Sequence, residues 1–212
     1  MSLLQTIRRI FGGKPAMKIA LCVGHSRYIN DNVEGGAISV AGDGGFAQNE
    51  WGYNQGLAAL IEKHLKAKGY EVLLWKHYDG NTYGQAMRWL ADQIGESGAD
   101  CAIELHFNAA SPTANGHEWL FWRPSDESRL LAYAINTAFV RDVPSIKQRG
   151  IKPLYEKSRG ASFCRLTPCP AVIAEPFFGT NPGDWRVATE RKEDIAKAMA
   201  NGIHAWCEES VK

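Results

Sequence analysis

The chain has no CxxC pair, no block of like charge and no apolar stretch near the roughly 18 residues that would span a bilayer. Each absence excludes something. Without a long apolar run, stable membrane insertion is not expected. With 24 Lys and Arg against 23 Asp and Glu, the net charge is +1, and the electrostatic footprint of a nucleic-acid binder is missing. The five cysteines, Cys22, Cys101, Cys164, Cys169 and Cys207, are an odd set. Cys22 and Cys101 lie in apolar runs, where a thiol serves as a small buried hydrophobe. Cys164 and Cys169 flank Arg-Leu-Thr-Pro and could meet across a turn, but the whole pattern fits reduced thiols better than a disulfide scaffold. No internal repeat and no low-complexity linker divides the chain.

What is present is a globular composition: 212 residues, 45% hydrophobic and 22% charged, enough for one substantial domain. Residues 1–16 stand apart. Leu3, Leu4, Ile7, Ile10 and Phe11 recur at helical spacing, while Arg8 and Arg9 interrupt the apolar core that a secretory signal needs. The segment reads as a leader or short amphipathic helix, with a membrane-surface role as the alternative. The folded domain is expected over 17–212.

From Lys18 onward, apolar runs alternate with helical patterns. Lys18–Gly24 reads as a buried strand, and residues 26–49 as a long loop of a kind that is often functional. Leu57, Leu60, Ile61 and Leu65 predict a helix from Glu50 to Lys68, stopped by Gly69. Tyr70–Trp75 is a strand, Tyr83–Glu96 a helix, and Asp100–Leu105 a strand ending at His106. Gly116–Trp122 is a further strand, followed by a helix capped at Ser125. Residues 141–170, broken by Pro144, Gly150, Pro153, Gly160, Pro168 and Pro170, read as irregular. Ala171–Ala174 is a strand delivering Glu175, and Val187–Glu208 one long closing helix. This alternation implies an α/β fold of three layers, a mostly parallel twisted sheet with helices on both faces.

Open α/β sheets bind ligands at the carboxyl ends of their strands. His25, His106 and Glu175 each follow an apolar strand, and Glu50 opens the helix after the long loop. Two imidazoles and a carboxylate are the ligand set of a catalytic zinc site, which keeps an open position for water. A carboxylate free of the metal can then shuttle a proton. Singly, each signal is weak. A histidine after a strand is commonly a hydrogen-bonded loop residue, and a Glu at a helix start commonly answers the helix dipole. The residues alone leave a metal site and ordinary loop polarity both open.

Five segments add a resemblance: Val23-Gly-His25-Ser; Gln48-Asn-Glu50 with Asn54 one turn on; Glu104-Leu-His106-Phe-Asn108-Ala; Gly116-His-Glu118-Trp-Leu-Phe; and Pro170-Ala-Val-Ile-Ala-Glu175-Pro-Phe-Phe-Gly-Thr-Asn181. In this order, from about Lys18 to Trp206, they resemble the N-acetylmuramoyl-L-alanine amidases of the family-3 type. The resemblance implies that His25, Glu50 and His106 bind Zn2+ and that Glu175 is the catalytic carboxylate. It further implies peptidoglycan as the partner, cut at the amide between N-acetylmuramic acid and L-alanine. Protein partners are not implied.

The chain departs from the family pattern in two places. Leu21-Cys-Val-Gly-His25 lacks the aspartate and proline often found before the first histidine, and Glu104 replaces a small serine before the second. Strand alternation puts Glu104 on the face of His106, where it could orient the imidazole or simply pair with a surface cation. Glu118 could act likewise or be a solvated strand-start carboxylate. His64, His77 and His204 read as surface residues, whereas His117 lies nearer the site and could meet substrate. Trp51 and Tyr53 could stack on sugar or pack over the helix start; Trp119, Phe121 and Trp122 supply at least one core face.

Two rival readings remain at this stage. One is another zinc hydrolase on this scaffold, a carboxypeptidase or N-acyl amino acid amidohydrolase, which product analysis would distinguish. The other is a non-catalytic wall-binding module, which zinc content would distinguish. With no export signal legible, the expected setting is that of a phage or prophage endolysin, made in the cytoplasm and acting on the wall after release. A host remodelling enzyme is the alternative.

Overall fold

The computed structural model describes residues 16–29, 32–41 and 46–210. The expected leader at 1–16 lies, but for Ala16, outside the described residues. Six strands form the central sheet: β1 (Lys18–Val23), β4 (Glu71–Trp75), β5 (Cys101–Leu105), β6 (His117–Trp122), β7 (Gln148–Leu154) and β8 (Ala171–Glu175). Their order is β4-β1-β5-β8-β6-β7. β4, β1, β5 and β8 run parallel, β6 pairs antiparallel with β8, and β7 runs parallel to β6. The sheet is therefore mostly parallel, with its last two strands reversed.

Helices cover both faces. α1 (Glu50–Ala67), α3 (Asp126–Asp142) and the C-terminal α6 (Lys192–Ser210) pack on one side, α2 (Tyr83–Ser97) and α4 (Ala161–Leu166) on the other. Strand alternation divides the core accordingly. Ile19, Leu21 and Val23 of β1 join the first layer, Ala20 and Cys22 the second. β1 and β5 are buried on both sides and, apart from Lys18 and Glu104, are apolar for that reason. Helix starts follow their caps: Asn49, Thr82 and Ser125 each accept the backbone N–H three residues on, and Thr82 completes a capping box with Gln85.

Three expectations need correction. The stretch 141–170 is not irregular, because it holds β7 and α4. β7 is an edge strand, where Pro153 and Gly150 are tolerated because its outer side makes no ladder bonds. The closing helix is two helices, α5 (Pro182–Glu190) and α6, separated at Arg191, whose N–H still bonds the Val187 carbonyl. Within the long loop, β2 (Tyr28–Ile29) pairs antiparallel with β3 (Asn32–Val33). All five cysteines are free thiols, so Cys164 and Cys169 do not pair.

Candidate active site

The carboxyl ends of β1, β5 and β8 meet the start of the reversed β6, and the polar residues converge there. His25 sits in the turn after β1 with φ 58°, a left-handed conformation rare for a residue with a Cβ. Gly24, just before it, is tied by its N–H to the Leu105 carbonyl at 2.9 Å, joining this turn to the end of β5. His106 follows β5 directly, its N–H donating to the Ala174 carbonyl at 3.0 Å. Glu50 opens α1 immediately after the cap Asn49. It does not decorate a helix dipole in solvent, being only 3% exposed beneath the long loop. Its Oε1 accepts the N–H of Phe107 and its Oε2 that of Ala37, each at 3.1 Å.

Donor atoms of His25, Glu50 and His106 all lie within 4.8 Å of one another. Glu50 Oε1 is 2.7 Å from His106 Nδ1, and Oε2 is 3.3 Å from His25 Nε2. Burial pushes the Glu50 pKa up, yet hydrogen bonds and charge from His106 and His25 outweigh it and hold the carboxyl well below the usual range. His106 is pulled down by burial but raised further by the adjacent Glu104 and Glu50. The backbone around the three is shaped to admit them. A Cβ at Gly24 would overlap the His106 ring, and one at Gly36 would overlap the His25 ring and Glu50 Oε2. Two imidazoles and one carboxylate with this spacing fit a divalent cation of the zinc class.

Glu175, at the end of β8, lines the same cleft of about 840 Å³. Its Oε2 is buried without a hydrogen-bond partner among the described residues. Burial pushes its pKa up to about 8, helped by the nearby charges of Glu50, Glu118 and Glu104 and opposed by His106. Glu118 faces Glu175 across the β6–β8 pair and is not freely solvated. Asn108 Nδ2 donates to it at 2.6 Å and Arg149 Nε at 2.8 Å.

The chain from 19 to 205 matches the sequence model of the N-acetylmuramoyl-L-alanine amidases of the amidase-3 type. The chain belongs to that family. Such amidases are enzymes that act on peptidoglycan. Among solved structures, the chain is similar to the catalytic domain of the CD27L endolysin targeting Clostridia difficile. That match has a TM-score of 0.72 at 26% identity, covering 89% of this chain and 97% of the other. The CwlD amidase from Clostridioides difficile, in complex with the GerS lipoprotein, shares the fold with TM-score 0.73 at 19% identity, covering 92% and 100%. Ami1 from Mycobacterium smegmatis does so with TM-score 0.73 at 18% identity, covering 91% and 97%. No curated protein matched in sequence.

The other histidines of this amidase lie away from the cleft. His64 pairs with Glu193, His77 with Asp79 and His204 with the Tyr70 hydroxyl. His117 does not meet the cleft either. It points to the opposite face of β6, fully buried between Trp119 and Phe139. Tyr53 is core, its hydroxyl donating to the Ala188 carbonyl at 2.7 Å, and Trp51 is half-buried against the same core. Sequence reasoning missed Glu34, whose Oε1 is 3.6 Å from His25 Nδ1, and the cleft wall at Ser158–Ser162. Neither carries a local signal, because the closure of a long loop brings Glu34 in and the wall lies in the stretch read as irregular.

Proposed function

We propose that this family member hydrolyses the amide between N-acetylmuramic acid and L-alanine of peptidoglycan as a zinc enzyme, with residues 17–212 as its catalytic domain. His25, Glu50 and His106 hold the metal, and Glu175 moves the proton. The observation that carries this reading is the convergence of the three donor groups within 4.8 Å beside a separate buried carboxylate. A zinc ion in this position supplies Lewis acidity toward the scissile carbonyl and the attacking water.

The remaining steps belong to the protein. Glu50 is locked by two backbone N–H groups, so it would present its carboxylate to the metal without reorganising. Glu175 accepts a proton from the attacking water at Oε2 and returns it to the alanine nitrogen as the C–N bond breaks. The lactyl group leaves as a carboxylate and the stem peptide as a free amine. In the metal-free protein burial raises this carboxyl to about 8, and a group poised near neutrality can serve as both base and acid.

The test is digestion of purified sacculi with mass analysis of the released fragments. Wild type should free intact stem peptides with L-alanine amino termini, and zinc content should approach one per chain. Glu175→Gln should keep the zinc and lose about 10²–10⁴-fold in rate, the usual share of a general acid–base group. Unimpaired cleavage by Glu175→Gln would remove Glu175 from the mechanism. Release of a terminal amino acid instead would identify a carboxypeptidase.

A further inference from the structure

Glu104 lines the cleft but is not used by the amide chemistry. Glu104 sits two residues before His106 on β5 and is 3% exposed. A carboxylate buried to that degree is costly unless paired and hydrogen-bonded. Glu104 Oε2 is 3.1 Å from His106 Nε2, and Oε1 accepts the Tyr78 hydroxyl at 3.2 Å. Tyr78 is itself 2% exposed, and its N–H donates to the Ser26 carbonyl at 3.1 Å. The tyrosine is thereby tied to the residue after His25, so one chain of contacts runs from the first imidazole's turn to the second imidazole's ring.

The two ring nitrogens of His106 face different carboxylates: Nδ1 faces Glu50 within the ligand cluster, Nε2 faces Glu104 behind it. A neutral imidazole carries one proton, and the hydrogen bond made by one nitrogen decides which nitrogen is free to bind a metal. An ionised carboxylate can only accept. We propose that Glu104, braced by Tyr78, is a positioning residue that keeps the proton on His106 Nε2 and so makes Nδ1 the metal-binding nitrogen. The assignment rests on the zinc reading above. Among the described residues His25 has no equivalent outer partner at hydrogen-bond length, since Glu34 stands 3.6 Å from its Nδ1. His25 is held instead by its left-handed backbone and the Gly36 approach. Among the described residues the two imidazoles are thus fixed by different means, His106 by an outer acid and His25 by its backbone.

Removing such an outer partner typically weakens metal binding about 10–100-fold. Zinc affinity should be measured by competition with a chromophoric chelator for wild type, Glu104→Gln, Glu104→Leu and Tyr78→Phe. Zinc-free melting curves check that each variant is folded. Glu104→Leu should lose about 100-fold, Glu104→Gln about 10-fold because its amide oxygen still accepts, and Tyr78→Phe a few-fold. A packing role alone would reverse the first two, since leucine suits an apolar wall better than an amide. Independently of any variant, long-range 1H–15N spectra of the zinc-loaded wild type should show His106 protonated at Nε2 with the metal on Nδ1. The opposite tautomer, or wild-type zinc affinity in both Glu104 variants, overturns the assignment and leaves the zinc reading intact. A wild type that takes up no zinc overturns both.

Discussion

Gly24 matters for the atom it lacks. Its Cα lies so close to His106 that any side chain would occupy the space of the ring. The neighbouring backbone offers little room to yield, because the Gly24 N–H is bonded to the carbonyl just before His106. Gly24→Ala should therefore displace the ring rather than the turn. A well-packed site that must absorb an extra methyl loses about 1–3 kcal/mol, and a ligand moved by even an ångström loses much of its function. The expected outcome is a folded protein whose zinc affinity falls at least about 10-fold, read by chelator competition beside a melting curve. Gly36→Ala should behave alike through His25 and Glu50, and its φ of +72° adds backbone strain that Gly24 does not carry. Wild-type affinity in Gly24→Ala would mean that the ring does not occupy its described position when metal is bound.

At the scale of elements, the reversal of β6 builds the site's far wall, and Asp184 holds that reversal in place. It lies in the first turn of α5, where the Asn181 side chain caps its N–H. Its Oδ2 accepts the Gly116 N–H at 2.7 Å, just before β6, and the Phe178 N–H at 3.0 Å, just after β8. Asp184→Ala leaves two buried N–H groups unsatisfied, at about 1–3 kcal/mol each. Denaturant titration should show a loss of about 3 kcal/mol, with a much smaller loss for Asp184→Asn, which keeps an acceptor oxygen. An equal loss in both would assign the effect to charge. The same reversal marks the limit of what the sequence revealed. Strands β1, β5 and β8 were legible as apolar runs closed by polar residues, and the rule that sites gather at carboxyl ends found His25, His106 and Glu175. Glu118 reaches the cleft from a strand's beginning, because β6 runs the other way, and that rule could not find it. β7 stayed hidden because an edge strand tolerates the proline and glycine that signal a loop elsewhere. The break at Arg191 has neither residue, so no breaker marks it in the sequence. Glu50 entered the candidate set by family resemblance, while Glu34 and the Tyr78 brace depend on tertiary closure that no local pattern encodes.

For the whole molecule, two buried ionisable groups on opposite faces of the sheet oppose each other as pH changes. His117 is buried under α3, accepts the Trp119 indole N–H at its Nδ1, and has a pKa lowered to about 4, chiefly by burial with Glu118 opposing. Its folded value lies below the unfolded value of about 6.5. Its contribution to stability is therefore present above pH 6.5 and is lost as pH falls through 4. Glu175 is the reverse case, raised from about 4.5 to about 8 by burial, with Glu50, Glu118 and Glu104 adding and His106 opposing. Its contribution is present below about pH 4.5 and is lost as pH rises through 8. Between pH 4.5 and 6.5 the two slopes cancel, and above 6.5 only that of Glu175 remains. One proton corresponds to about 1.4 kcal/mol per pH unit. In metal-free protein, the stability of Glu175→Gln relative to wild type should therefore climb by up to about 1.4 kcal/mol per unit between pH 6.5 and 8. His117→Phe should lose a constant amount above pH 6.5, for the orphaned indole N–H, and regain ground on wild type as the solution is acidified toward pH 4. Urea titrations at half-unit steps read both differences and cancel every group the variants share. Parallel curves for Glu175→Gln and wild type would mean that Glu175 is already ionised in the folded protein at pH 6.5. It would then serve as a base from the outset rather than titrating near the pH at which it works.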